Sequence, residues 1–205
     1  MITDFNKEMR TALIIFVRHP ELGKVKTRLA KVIGDNKALY VYNLLLDHTR
    51  QITIPLNCRK FIYYTDQVIE HDIWTLPGYT KRQQFGEDLG ARMSNAFKEL
   101  FDQGFERVMI IGSDCYQLQT DILEKAIAAL TGNDIVIGPT FDGGYYLLGA
   151  NRYVPELFTD KAWSTDQVTN QTIATVNRLE LTYNLLLKLH DVDEAADLNL
   201  NGIQI

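Results

Sequence analysis

A chain of 205 residues with 46% apolar content has the material for a substantial core, and one domain is the expectation. The formal net charge of −5 argues against a broad nucleic-acid footprint, while a local basic patch for a phosphorylated small molecule stays compatible with it. The polar start MITDFNKEMR lacks the apolar region of a signal peptide, and no apolar stretch approaches the roughly 18 residues of a membrane span. A cytoplasmic protein is expected, with a polar leader over residues 1–10 and a single domain over residues 11–205.

The first element, TALIIFV over Thr11–Val17, is a continuous apolar run, as a strand buried on both faces of a parallel sheet requires. It leads into RHPELGKVKTRLA, a loop broken by Pro20 and Gly23 that then gathers Lys24, Lys26 and Arg28 within five positions. Three cations at the end of a first strand can embrace nucleotide phosphates, Arg28 bidentately and the lysines as point charges, with the Thr27 hydroxyl and Arg18 as further donors. The competing reading is a solvated loop. Leu39, Tyr42, Leu46 and Thr49 then repeat at helical spacing over residues 35–51, capped by Asp35 or Asn36. RKFIYY over Arg59–Tyr64 reads as the second strand of a βαβ unit, with Tyr63 and Tyr64 as packing residues. After an irregular stretch with a Pro77-Gly78 turn, residues 81–85 suit a short edge strand.

QFGEDLGARM opens a helix whose Leu89, Met93, Ala96, Phe97, Leu100 and Phe101 form one apolar stripe. Here Gln84, Gly86 and Arg92 can touch a nucleotide, while Asp88 is better placed as the helix cap. RVMIIGSDCY follows, and it is the centre of the chain. Val108 to Ile111 make a buried strand, and Gly112-Ser113 turn it so that Asp114 falls just beyond the carboxyl end, where open α/β sheets place their ligands. Asp114 can hold a cation there or close the turn.

Asp121 and Glu124 have capping-box spacing for a helix over residues 121–130. DIVIG over residues 134–138 is another buried strand, leading to PTFDGGYYLLG. Gly143 and Gly144 after Asp142 permit a close ligand approach or simply make a turn, and Tyr145 to Leu148 resume as a strand. Residues 151–158 and 164–176 look helical, the second capped by Ser164, with Trp163 packing beneath the site. Short apolar segments at residues 180–183 and 185–189 precede HDVDEAADL, in which Asp191 and Asp193 share a face if extended. Asp193 is either a second metal carboxylate or the cap of a last helix that carries Asp197. The two cysteines, Cys58 and Cys115, have no metal-type spacing, and a thiolate at Cys115 is disfavoured by the carboxylate beside it.

Taken together, FVRHPELGKVKTRL, QFGEDLGARM, IGSD, GPTFDGGYYLLG and the terminal DVDEAADL resemble the DUF2064 family of glycosyltransferase-A-like proteins, in order and spacing from about Ala12 to Leu198. That family resembles the nucleotide-diphospho-sugar transferase superfamily, and the KVKTRL loop and late Asp-Val-Asp are similar to those of phospholactate guanylyltransferases. The sequence departs at Tyr116, where a proline is expected, and at Glu194-Ala195-Ala196, where Thr-Pro-Glu is usual. The resemblance implies a Rossmann-like three-layer α/β sandwich with a mostly parallel central sheet. It also implies metal binding by Asp114 and Asp193, with Mg²⁺ or Mn²⁺ as cofactor.

The resulting expectation is metal-assisted transfer from an activated nucleotide to a small acceptor. Asp114, Asp142, Lys26 and Arg28 would serve catalysis, and Arg18, Lys24, Lys26, Thr27, Arg28, Gln84 and Gly86 would bind the nucleotide. Asp142, Gly143, Gly144 and Tyr145 would face the acceptor. Nucleotidyl transfer to a phosphorylated or acidic acceptor is favoured, because a triphosphate has more charge for the basic loop to cradle. Glycosyl transfer from a nucleotide sugar, with Asp142 as base or sugar ligand, and a non-catalytic nucleotide-binding module are the alternatives. A covalent hydrolase fits poorly: Ser113 lacks a Gly-x-Ser-x-Gly elbow, and no motif pairs it with any of the four histidines. No nucleic-acid partner and no membrane span are expected, and a homodimer is compatible with the chain.

Overall fold

The computed structural model describes residues 10–205, so all of the expected leader but Arg10 lies outside the described residues. Strands β1 (Thr11–Val17), β2 (Arg59–Tyr64), β3 (Tyr79–Gln83), β4 (Arg107–Ile111), β5 (Ile135–Pro139), β6 (Tyr145–Ala150) and β7 (Tyr183–Leu185) form a seven-stranded sheet in the order β3-β2-β1-β4-β6-β5-β7. β1 pairs in parallel with both β2 and β4, and β2 with β3. β6 is antiparallel to β4 and to β5, while β7 is parallel to β5. β6 therefore runs against the other six strands, and the carboxyl ends of β1, β4 and β5 open onto one edge. That edge carries the loops of interest.

The alternation of side chains along β1 explains the three layers. Leu13, Ile15 and Val17 pack with Tyr42 and Leu46 of helix α2 (Asp35–Thr53) and with Leu123 and Ala126 of α4 (Thr120–Ala129). Ala12 and Ile14 face the other way, onto Met93, Ala96, Phe97 and Leu100 of α3 (Leu89–Asp102) and Val176 of α5 (Val168–Arg178). A third, smaller cluster joins Leu29 of α1 (Thr27–Ile33) and Ala38, Val41 and Leu45 of α2 to Val192 and to Leu198 of α6 (Ala195–Leu200). Its effect is local but decisive, because it packs the C-terminal segment against the helix that follows the basic loop. No helix among the described residues is long and apolar enough to cross a membrane.

Several boundaries differ from expectation. The basic loop ends in the seven-residue α1 rather than continuing as coil. Gly34, not Asp35 or Asn36, is the N-cap of α2. α4 starts at Thr120 with Gln119 as N-cap, and Asp121 pairs with Lys125 one turn on instead of forming a box with Glu124. Over residues 151–158 only a 3₁₀ turn at Pro155–Leu157 forms. Ser164 has φ of 63°, outside the helical region, so α5 begins later, at Val168. Trp163 packs in the core layer against α3, where a Cβ on Gly90 would stand 2.4 Å from its Nε1.

The α3 cap is as the sequence indicates. Asp88 has extended backbone, and its Oδ1 accepts the Ala91 N–H at 2.7 Å. Asp88→Ala should lower unfolding stability by about 1 kcal/mol, the usual cost of losing such a cap. Urea denaturation measures it, and an unmoved midpoint would show that another group satisfies the helix end.

Candidate active site

The site is assembled by three chain segments that meet at the carboxyl edge. After β1, the backbone of Arg18 is held by Tyr42 of α2: its N–H donates to the phenolic oxygen at 2.8 Å, and the Tyr42 hydroxyl donates to its carbonyl at 3.1 Å. The loop then turns through Gly23 and reaches Lys26, the N-cap of α1, in the left-handed region with φ of 45°. This geometry sends the Lys26 side chain inward, where only 7% of it is exposed. Its Nζ donates to Asp193 Oδ1 at 2.9 Å and to Asp114 Oδ2 at 3.4 Å.

Asp114 reaches this point because Gly112 leaves room. A Cβ on Gly112 would lie 2.7 Å from Asp114 Oδ1. Asp193 is delivered by the C-terminal segment, which is tied down in order along its length. Leu189 N–H donates to Pro139 O at 3.1 Å, His190 N–H to Gln117 Oε1 at 2.9 Å, and Val192 N–H to Asp114 O at 2.9 Å. Asp197 Oδ2 then accepts the N–H groups of Asp193 and Glu194 at 2.9 and 2.7 Å, closing a capping box with Glu194. Asp197 is a positioning residue here. Glu194-Ala195-Ala196 thus forms a capped helix start.

The electrostatics follow from the packing. Burial disfavours the charge of Lys26, but Asp114 and Asp193 outweigh it and raise its pKa. Burial likewise opposes ionisation of Asp193, yet Lys26, then Arg28 and Arg18, hold its pKa below the ordinary carboxylate value. Arg28 Nη1 lies 4.0 Å from Asp193 Oδ2 with its side chain mostly exposed, so it remains available to an incoming anion. Asp191 behaves differently: burial, then the charges of Asp114, Asp142 and Asp193, push its pKa up to about 7. Asp114 and Asp193 stay about half exposed despite the Lys26 contact, and oxygen donors of this kind suit a hard divalent cation. Lys26 already stands as a cation between two oxygen donors. Among the described residues, however, no group of three or more His, Cys, Asp or Glu side chains is arranged to hold a metal.

Next to this clamp is a cavity of about 240 Å³, lined in part by Thr140, Asp142, Asp166, Thr169 and Lys188. Asp142 is fixed by the Thr140 hydroxyl and by the Gly144 N–H at 3.0 Å. Gly143 has φ of 92°, and a Cβ there would meet Asp166 O at 2.1 Å, so the Asp-Gly-Gly turn requires glycine for both conformation and space. Phe141 stacks on His190 at 4.1 Å, with Lys188 Nζ 5.0 Å from the Phe141 ring centre. Asp142 is among the charges that act on Asp191, which lies in the chain between Leu189, bonded to Pro139, and Val192, bonded to Asp114.

The other expected site residues make contacts of their own. Lys24 is exposed and pairs with Glu21 at 2.5 Å. Thr27 is the first residue of α1. Gln84 donates to Tyr63 O at 2.9 Å, and Gly86 accepts from Arg92 Nε at 3.1 Å; a Cβ on Gly86 would crowd Arg92 N at 2.7 Å. These contacts pin the loop after β3 and leave Phe85 on it 80% exposed at the same edge. Tyr145 turns its hydroxyl to Met93 Sδ at 3.7 Å, in the core against α3 rather than toward the cavity. Lys188 of the cavity, and His190 stacked on Phe141, lacked a sequence signal, because nothing local ties them to Asp142. Phe85 was visible only as the variable position between Gln84 and Gly86.

Cys115 is buried beside Asp114, and burial raises its pKa to about 12; for Cys58 burial raises it to about 11. Neither is a nucleophile at neutral pH. In the folded protein both thiols should resist iodoacetamide at pH 8 and become reactive on unfolding, and rapid labelling of native Cys115, read by mass spectrometry, would contradict this.

Comparison with known proteins gives a family and a fold. Residues 50–165 match the family described as "Uncharacterized protein conserved in bacteria (DUF2064)". A candidate nucleotide-diphospho-sugar transferase from Desulfovibrio desulfuricans G20 is similar at 34% identity over 94% of this chain and 86% of its own, with a TM-score of 0.87. A CMP:2-keto-3-deoxy-manno-octonic acid synthetase solved with CTP shares the fold at 8% identity, with 94% and 97% of the two chains covered and a TM-score of 0.55. So does Rv0371c from Mycobacterium tuberculosis H37Rv, solved with manganese, at 11% identity, 94% and 97% coverage and a TM-score of 0.53. No curated protein matches the chain significantly.

Proposed function

Because the chain belongs to the DUF2064 family and has the fold of nucleotide-diphospho-sugar transferases, we propose that it is a metal-dependent transferase acting on an activated nucleotide. The observation that carries this reading is the meeting of Lys26 with Asp114 and Asp193, with Arg28 and Arg18 close by, at the carboxyl ends of β1 and β4. A polyphosphate supplies the anionic charge that Arg18, Lys26 and Arg28 can accept. Asp114 and Asp193 are the residues that would hold Mg²⁺ or Mn²⁺. Such an ion supplies charge neutralisation and a template for phosphate oxygens.

Nucleotidyl transfer is the favoured reaction. An acceptor oxygen attacks the α-phosphorus in line, the bond to the pyrophosphate oxygen breaks, and the cations of the β1 loop take up the charge on the leaving group. No protein nucleophile is needed. The cavity beside Asp142 holds the acceptor, and Lys188 at its wall suits a phosphorylated or acidic one. The synthetase solved with CTP supports this version. Glycosyl transfer from a nucleotide sugar is the second reading, favoured by the description of the Desulfovibrio relative and by Asp142, whose carboxylate is fixed at the cavity wall as a base or sugar ligand.

Thermal-shift or calorimetric titration with the four nucleoside triphosphates and with UDP- and GDP-sugars, each with and without Mg²⁺ or Mn²⁺, decides between them. One ligand should stabilise the protein selectively and only with metal, by roughly 2.7 kcal/mol at a hundredfold excess over Kd. A triphosphate selects nucleotidyl transfer and a nucleotide sugar selects glycosyl transfer. Asp114→Asn should abolish the metal-dependent part while leaving the fold intact; unchanged affinity in excess Mg²⁺ would place the site elsewhere. Affinity that is insensitive to metal, with no turnover, would indicate a binding module.

A further inference from the structure

The place between the two carboxylates is taken. Lys26 Nζ lies 2.9 Å from one and 3.4 Å from the other, and its side chain is 7% exposed, whereas those of Asp114 and Asp193 are 46% and 43% exposed. A lysine in so covered a position has few alternative partners within the protein. Its backbone is also unusual, with φ of 45° and ψ of 47°, a left-handed conformation that a residue with a Cβ adopts only when its surroundings fix it. Two anions held at one point need a cation, and an ammonium and a divalent metal compete for that role.

The donor count adds a second constraint. Two carboxylates are too few ligands for a hard divalent ion by themselves, and Mg²⁺ typically completes its shell with substrate phosphates and water. A phosphate chain can also take the Lys26 ammonium away from the carboxylates without stranding it.

We infer that Lys26 is the site's resident counter-ion, keeping the divalent cation out until a polyphosphate draws its ammonium away, so that metal and nucleotide load as one unit. This rests on the proposed nucleotide-transferase reading and adds an order to it. The free protein binds metal weakly, a polyphosphate tightens that binding, and by linkage metal tightens the polyphosphate by the same factor. Free metal at the wrong moment finds the site closed.

The test is Mn²⁺ binding to the full chain, followed by electron paramagnetic resonance, with and without pyrophosphate and corrected for chelation in buffer. In the wild type, pyrophosphate should raise Mn²⁺ affinity on the order of tenfold or more, within the usual range of such couplings. Lys26→Met should bind Mn²⁺ alone more tightly than the wild type by about the same factor, and the gain from pyrophosphate should shrink. Equal Mn²⁺ affinity in a folded Lys26→Met and the wild type overturns the inference and leaves the proposed function standing. A wild type that binds neither Mn²⁺ nor pyrophosphate, together or apart, overturns the proposed function instead. Should Lys26→Met fail to fold, as its melting curve would show, the wild type still decides: Mn²⁺ affinity indifferent to pyrophosphate overturns the inference.

Discussion

The ammonium of Lys26 joins parts of the chain that are far apart in sequence. It comes from the loop after the first strand, and its partners come from the end of the central strand and from the last segment, 88 and 167 positions away. A buried charge with a missing partner is costly, of order 3–5 kcal/mol when one member of such a pair is removed, so the three segments constrain one another. The partial exposure of the two carboxylates softens that cost and leaves their free oxygens open to solvent and ligand. The same interaction thus closes the fold at its carboxyl edge and sets out the charges of the site.

The rest of the architecture serves this meeting point. Parallel pairing of β1 with β4 brings their ends side by side, and the apolar cluster of Leu29, Val41, Val192 and Leu198 presses the C-terminal segment onto α1 and α2. From Leu189 to Val192 that segment is bonded first to the loop after β5 and then to the loop after β4. It therefore links the Asp142 cavity to the Lys26 clamp, with Asp191 in the chain between the two attachments. The cavity and the clamp are joined because one short segment bonds to both loops.

Much of the sheet can be read from the chain. β1, β2, β4 and β5 are short apolar runs, and their continuous burial explains why they show little polar alternation. The reversed direction of β6 has no local signal, since strand pairing is a tertiary property; only its glycine-rich turn hints at a sharp return. α1 is hidden by its cationic surroundings, because Lys24, Lys26 and Arg28 read as a basic loop until Leu29 is seen to be buried against Val192. Helix starts were less legible than helices. Gly34 and Gln119 cap without a side-chain hydrogen bond, and Ser164 takes a positive φ that its residue type does not announce.

At the site, position after a strand brought Asp114, Lys26 and Arg28 forward as candidates, while the choice of Asp114 and Asp193 over turn and cap residues came from the family resemblance. Direction was not legible. Lys24 and Lys26 are two residues apart in one basic loop, yet one pairs with Glu21 at the surface and the other turns inward through a left-handed backbone. Tyr145 similarly follows the glycines of the cavity but points into the core, as strand alternation from the buried β6 dictates.

Crystals grown with Mn²⁺ and the best-binding nucleotide, measured at the manganese absorption edge, test the central claim most directly. The account predicts one strong anomalous peak within coordination distance of both Asp114 and Asp193, with phosphate oxygens on it and the Lys26 ammonium on the phosphates. A nucleotide bound with its phosphates away from the ends of β1 and β4, or manganese held by neither carboxylate, would contradict it.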